Sequence, residues 1–152
     1  MQVEIRTMEP CKAVCMSHKG AYYKIGKTFG EIYSWFRETN TPINMGIALY
    51  YDDITVVPED ELNSDAGVFV EADFSTEDAR VHVVEIAGGT YAVYTHIGSY
   101  ATMHSSWQKL MEWLATSEHT PAQRPPFEIY VDDCDEVPED QLRTDICIPL
   151  EG

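Results

Sequence analysis

The chain has 152 residues, 44% of them apolar and 11% aromatic; that is material for one domain, or for two half-size units fused into one core, and leaves no room for a separate regulatory domain. Ten lysines and arginines against 26 aspartates and glutamates give a formal net charge of −16, which opposes contact with a phosphate backbone and argues against direct nucleic-acid binding. The longest apolar runs are far shorter than the ~20 residues needed to cross a bilayer, so no membrane role is expected.

Residues 1–6 (MQVEIR) alternate apolar and polar side chains like a strand and lack the basic-then-apolar order of a secretory signal. A cytoplasmic location is therefore expected. Residues 11–18 read as a second strand, 18–21 (HKGA) as a turn, and 22–38 as a helix with Ile25, Phe29, Ile32 and Phe36 at helical spacing. A strand at 46–51, a turn built on Pro58, Glu59 and Asp60, and strands at 67–71 and 81–86 follow. A strand ending at His96 then leads through a second glycine turn into a helix whose stripe is Met103, Trp107, Leu110 and Leu114. Strands at 127–131 and 146–150 flank a second such turn at Pro138, Glu139 and Asp140.

The same elements recur because the sequence repeats. The segment VCMSHKGAY at 14–22 matches AVYTHIGSY at 92–100, an offset of 78 residues that also relates Trp35 to Trp113. YYDDITVVPEDELNSD at 50–65 matches YVDDCDEVPEDQLRTD at 130–145, offset by 80. Two copies of a strand–helix–strand–strand unit, about 1–77 and 78–152, are thus expected to form one α+β domain. Its predicted form is a curved antiparallel sheet of about eight strands flanked by two helices, with pseudo-twofold symmetry and a ligand groove between the helices.

The repeat also isolates one asymmetry. In the strand FEIYV at 127–131, Glu128 and Tyr130 share a face; in the first copy Ala48 and Tyr50 stand at those places. A carboxylate desolvated on such a face calls for a countercharge, which a cationic ligand can supply. Aromatic walls would add cation–π contacts of about 0.5–2 kcal/mol each. The candidate walls are Tyr50, Tyr130, Tyr94 with its repeat partner Met16, and Trp35 with Trp113, so the expected ligand is a planar, lipophilic cation.

Other chemistry is poorly supported. His18 and His96 end matching strands before a glycine turn, which predicts a structural role at the helix entry. Cys11, Cys15, Cys134 and Cys147 form no CxxC pair and are expected as free thiols, not metal ligands. The acidic turns lack the ligand order of an EF-hand. Ser105 and Ser106 lie near His104 without a GxSxG elbow, so no catalytic triad is expected, and no glycine-rich phosphate loop or other cofactor motif is present.

HKGAY and HIGSY, YYDD, GGTYAVY at 88–94, PFEIY at 126–130 and VPEDQLRTDICIPL at 137–150 together resemble the GyrI-like, AraC-type effector-binding domain, over essentially the whole chain. The resemblance implies a duplicated fold with a drug-binding groove and Glu128 as the glutamate that contacts cationic ligands; unlike the larger members, which carry DNA-binding helices, a stand-alone form is expected here. It also implies two alternatives: a hydrolase of cyclopropane-bearing toxins, using Glu128 with Tyr130 or Tyr94, or a module acting on a protein partner such as gyrase or a transcription factor.

Overall fold

The computed structural model describes residues 2–151. Eight antiparallel strands and two long helices put the chain in the expected α+β class: β1 (Glu4–Met8), β2 (Cys11–Lys19), α1 (Gly26–Glu38), β3 (Gly46–Tyr50), β4 (Asn63–Val70), β5 (His82–Ile86), β6 (Gly89–Ile97), α2 (Met103–Thr116), β7 (Phe127–Tyr130) and β8 (Arg143–Pro149). None of the described helices is long and apolar enough to cross a membrane.

The strands sort into two compact units. Residues 10–87 form the first, a sheet in the order β3-β4-β2-β5. Residues 2–9 and 88–151 form the second, in the order β1-β6-β8-β7. This contact division is not the division of the repeat. β1 pairs with β6 from Glu4↔Val93 to Met8↔Gly89, and β5 pairs with β2 from Cys11↔Ile86 to Cys15↔His82, so each outer strand joins the sheet of the other copy. Strand pairing, not sequence order, decides which residues pack together.

Inside each unit one helix lies on one sheet face. In the first, Ile32, Trp35 and Phe36 of α1 bury against Val14 of β2 and Val68 of β4. In the second, Met103, Leu110 and Leu114 of α2 bury against Ala92, Ile146 and Ile148. Fully burying such a side chain contributes about 1.5–3 kcal/mol, which is what holds helices of 13 and 14 residues that would be marginal alone.

Each helix is entered through the same device. Gly20 and Gly98 take φ of +120° and +126°, backbone that only glycine adopts at little cost, and their N–H groups donate to Leu62 O and Leu142 O, both at 2.8 Å. His18 Nε2 donates to Ala21 O at 3.0 Å, which leaves Nδ1 to accept from Thr28 Oγ1 at 3.3 Å. His96 does the same with Ser99 O at 2.9 Å and Ser106 Oγ at 2.6 Å. The two histidines tie strand end to helix start, as their placement before the glycines suggests.

The proline turns match as closely. Pro58 and Pro138 share φ −56° and ψ 145°, and each leads into one turn of 3-10 helix that buries the following leucine, Leu62 or Leu142. Asp52 Oδ2 accepts from Asn63 N at 2.7 Å and Asp132 Oδ2 from Arg143 N at 2.9 Å, so the acidic residues of these turns close backbone loops. β4 and β8 begin right after the turns, at 63 and 143, earlier than the expected 67 and 146. After an exposed first residue come polar yet buried ones: Ser64 is 2% exposed, Asp65 4% and Thr144 0%, a pattern that hides the strand from a hydrophobicity reading.

Candidate functional site

Glu128 stands in the middle of β7, opposite Ile146 of β8. Because Ile146 packs under α2, alternation turns Glu128 and Tyr130 toward that helix, while Phe127 faces the other way and meets Tyr91 ring to ring at 5.3 Å. The carboxylate is buried, 5% exposed, where a charge needs hydrogen bonds to persist. It has them. Trp107 Nε1 on α2 donates to Oε2 at 2.5 Å, and the Tyr130 hydroxyl donates to Oε1 at 2.7 Å. Both of these donors are uncharged side chains, and they hold the carboxylate in place. The ring of Tyr100 meets Tyr130 edge-on, centroids 5.4 Å apart, adding a second aromatic wall.

The first unit carries the matching frame without the charge. Ala48, fully buried, occupies the place of Glu128; Phe29 occupies that of Trp107. Tyr50 meets Tyr22 at 4.6 Å, as Tyr130 meets Tyr100. The ring pair is common to both units, whereas the indole and carboxylate occur in one only.

The remaining aromatic candidates are placed as follows. Trp35 is 3% exposed within the α1 core, and its Nε1 donates to Asp78 Oδ2 at 2.9 Å. Hydrogen bonds from the Arg80 guanidinium, and then from the Arg80 backbone and Trp35, hold the Asp78 carboxyl well below the usual carboxylate range. Met16 and Trp35 line a cavity of about 380 Å³ beside α1, rimmed by Glu31, Glu38 and Arg80. Tyr94 packs on the α2 core and lines a cavity of about 340 Å³ with His96, Ser106 and Lys109. Trp113 stacks on His119 at 6.0 Å. Of the seven residues expected from sequence, Glu128 and Tyr130 are thus brought together by hydrogen bonding, while Met16 and Trp35 share a different cavity.

Trp107 and Tyr100 are the residues that sequence reasoning missed. Trp107 lies in the apolar stripe of α2 and reads as core, yet it is half-buried and turns its N–H to Glu128. The available signal was its repeat partner, Phe29: the change from phenylalanine to tryptophan runs parallel to the change from Ala48 to Glu128.

The cysteines offer no chemistry of this kind. Cys15 and Cys147 are buried, and desolvation pushes both thiols far above their ordinary range. Among the described residues the group with metal-ligand spacing is Asp133, Cys134 and Asp135, all exposed on a loop.

An α+β fold in two like units, with one buried carboxylate lodged among aromatic rings, is that of a small-molecule-binding domain. The chain belongs to the GyrI-like small molecule binding domain family, whose model matches residues 1–151. It is 31% identical over 138 residues to a DNA gyrase inhibitor of Pectobacterium carotovorum subsp. carotovorum (strain PC1), covering 89% of this chain and 88% of that one. Its fold is similar to that in the cryo-EM structure of the EcmrR-DNA complex, with a TM-score of 0.81 and 17% identity; the match takes in 99% of this chain and spans 57% of EcmrR. It is also similar to SAV2435 bound to tetraphenylphosphonium, with a TM-score of 0.70, 14% identity and coverage of 100% and 95%.

Proposed function

We propose that the chain, as one effector-binding domain, binds lipophilic cationic small molecules through Glu128, with Trp107, Tyr130 and Tyr100 as aromatic walls. The observation that carries the reading is a carboxylate 5% exposed and hydrogen-bonded by two neutral donors. A carboxylate in a medium of low polarity attracts a cation far more strongly than one in water. The ring faces add cation–π attraction. The net charge of −16 raises the local concentration of cations and lowers that of anions. SAV2435, of like fold, was solved with tetraphenylphosphonium bound, which supports this ligand class. Free cysteines fit binding in the reducing cytoplasm.

The test is a calorimetric titration of tetraphenylphosphonium into the wild-type chain and into Glu128→Gln, which keeps shape and loses charge. The expected loss is at least about tenfold in affinity. Equal affinity for both proteins would contradict the reading.

One observation favours a second reading. The Tyr130 hydroxyl lies 2.7 Å from Glu128 Oε1, the separation at which a carboxylate can take a proton from a hydroxyl or a water as general base. On that reading the domain hydrolyses strained electrophiles, such as cyclopropane-bearing toxins, with Glu128 as base and Tyr130 as its partner. The same two proteins separate the readings: release of a hydrolysed product by wild type but not by Glu128→Gln favours the enzyme, and stoichiometric uptake of unchanged ligand favours the binder.

A further inference from the structure

The two proline turns share a backbone but not a surface. In the first unit Val57 N donates to Asp53 O at 2.9 Å and Thr55 N to Asp53 Oδ1 at 2.8 Å; in the second, Val137 N donates to Asp133 O at 3.0 Å and Asp135 N to Asp133 Oδ1 at 2.8 Å. Each turn is then pinned by its buried leucine, Leu62 or Leu142. This frame leaves the side chains at the tip free to differ, and they do: Ile54 and Val56 stand where the second unit has Cys134 and Glu136. Tyr23, whose hydroxyl donates to Glu59 Oε1 of the same turn at 3.1 Å, stands where the second unit has Ala101. At 77%, 76% and 68% exposed, Tyr23, Val56 and Ile54 are the three most exposed large apolar side chains among the described residues. Since the second turn takes the same backbone with Cys134 and Glu136, the fold does not require them.

We infer that this tip of the first unit is a docking surface for a basic protein segment, one that carries two or three apolar side chains flanked by lysines or arginines. Apolar side chains gathered at one exposed place mark contact with a partner, and docking removes their surface from water. Charge then names the class of partner. Asp53, Glu59, Asp60 and Glu61, all exposed, rim the tip, against one nearby cation, Lys24, 5.8 Å from the Tyr23 ring. Such a rim repels a phosphate backbone and the anionic face of a bilayer, and attracts a cationic chain. A second copy of this chain, itself carrying a net charge of −16, is repelled as well. In an apolar centre with a charged rim, the centre supplies affinity while the rim supplies partner choice and speed of association. None of these residues belongs to the Glu128 site, so the inference does not rest on the cation reading.

The experiment titrates the whole chain, by fluorescence anisotropy, against two labelled probes of equal positive charge: an amphipathic leucine–lysine peptide of about 18 residues, and an oligolysine with no apolar side chains. The wild type is expected to bind the leucine–lysine peptide at least about tenfold more tightly than oligolysine. Ile54→Ser combined with Val56→Glu, which gives the tip the character of the second turn, is expected to weaken that peptide about tenfold. The same variant should hold oligolysine as tightly as before or more so, because it is more acidic. Amide resonances of 22–24 and 53–57 should move with the peptide, while those of 133–137, acidic without the isoleucine and valine, should not. Tyr23→Ser, with an expected loss of about threefold or more, carries the test alone should the double variant fail to fold in a thermal melt. The inference is overturned if the peptide binds no better than oligolysine, if the folded variants keep or exceed the wild-type affinity, or if 133–137 respond as 53–57 do. Glu128→Gln guards against the other acidic site: a loss of peptide binding there as large as in the tip variants would place the lysines at the buried carboxylate and overturn the inference, with the cation reading left standing.

Discussion

On the helix-facing side of β3 the first unit holds Ala48 beneath α1; at the matching place on β7 the second unit holds Glu128 beneath α2, both almost wholly buried. Nearly everything around these positions is alike. The glycine turns have φ of +120° and +126°, the histidines bind strand to helix by the same two bonds, and the proline turns share their dihedrals. Parts that build the frame are thus held in common, and a part that departs from its counterpart without disturbing the frame is the place to look for function. The departure here is a matched pair, Trp107 with Glu128 in place of Phe29 with Ala48.

Forcing the first unit to resemble the second should break it. Ala48→Glu would bury a carboxylate in a unit where Phe29 stands at the place of the Trp107 donor, and is expected to destabilise the chain by about 3–5 kcal/mol in denaturant unfolding. A cost under about 1 kcal/mol would show that this face admits charge freely and that Glu128 is nothing special. Adding Phe29→Trp should return about 1 kcal/mol or more, read as non-additivity in a double-mutant cycle. Strict additivity would mean that the indole and the carboxylate are not a coupled pair.

A smaller difference concerns the matched tryptophans Trp35 and Trp113. Trp35 donates to Asp78, whose folded-state pKa is depressed, first by the Arg80 hydrogen bonds; Trp113 stacks on His119. A depressed carboxylate contributes stability above its unfolded pKa of about 3.9 and loses it as pH falls through the folded value. Acidification is therefore expected to shift the Trp35 indole N–H resonance as Asp78 protonates, before the whole chain unfolds. An indole signal of Trp35 that stays fixed until the whole chain unfolds would argue against the Asp78 anchor.

Much of this could be read from the sequence, for reasons that also mark where reading stops. The repeat exposed the strand–helix–strand–strand order because glycine, proline and histidine recur at fixed offsets, and each does its work through local backbone geometry. Glu128 stood out because its partner is alanine. The placement of β1 and β5 was not legible, since an outer strand carries the same alternation whichever neighbour it pairs with. The first residues of β4 and β8 were missed because Ser64, Asp65 and Thr144 are polar and buried. Trp107 was misread for a related cause: helical spacing reports the face a side chain is on, but not the hydrogen bond its N–H makes to a residue 21 positions away.

The most direct test of the account is a crystal structure of the chain with tetraphenylphosphonium bound. The phosphonium centre is predicted to lie within about 6 Å of the Trp107 or Tyr130 ring, with the Glu128 carboxylate as its nearest anionic group. A cation lodged beside Trp35 and Met16, with Glu128 still covered and out of its reach, would contradict it.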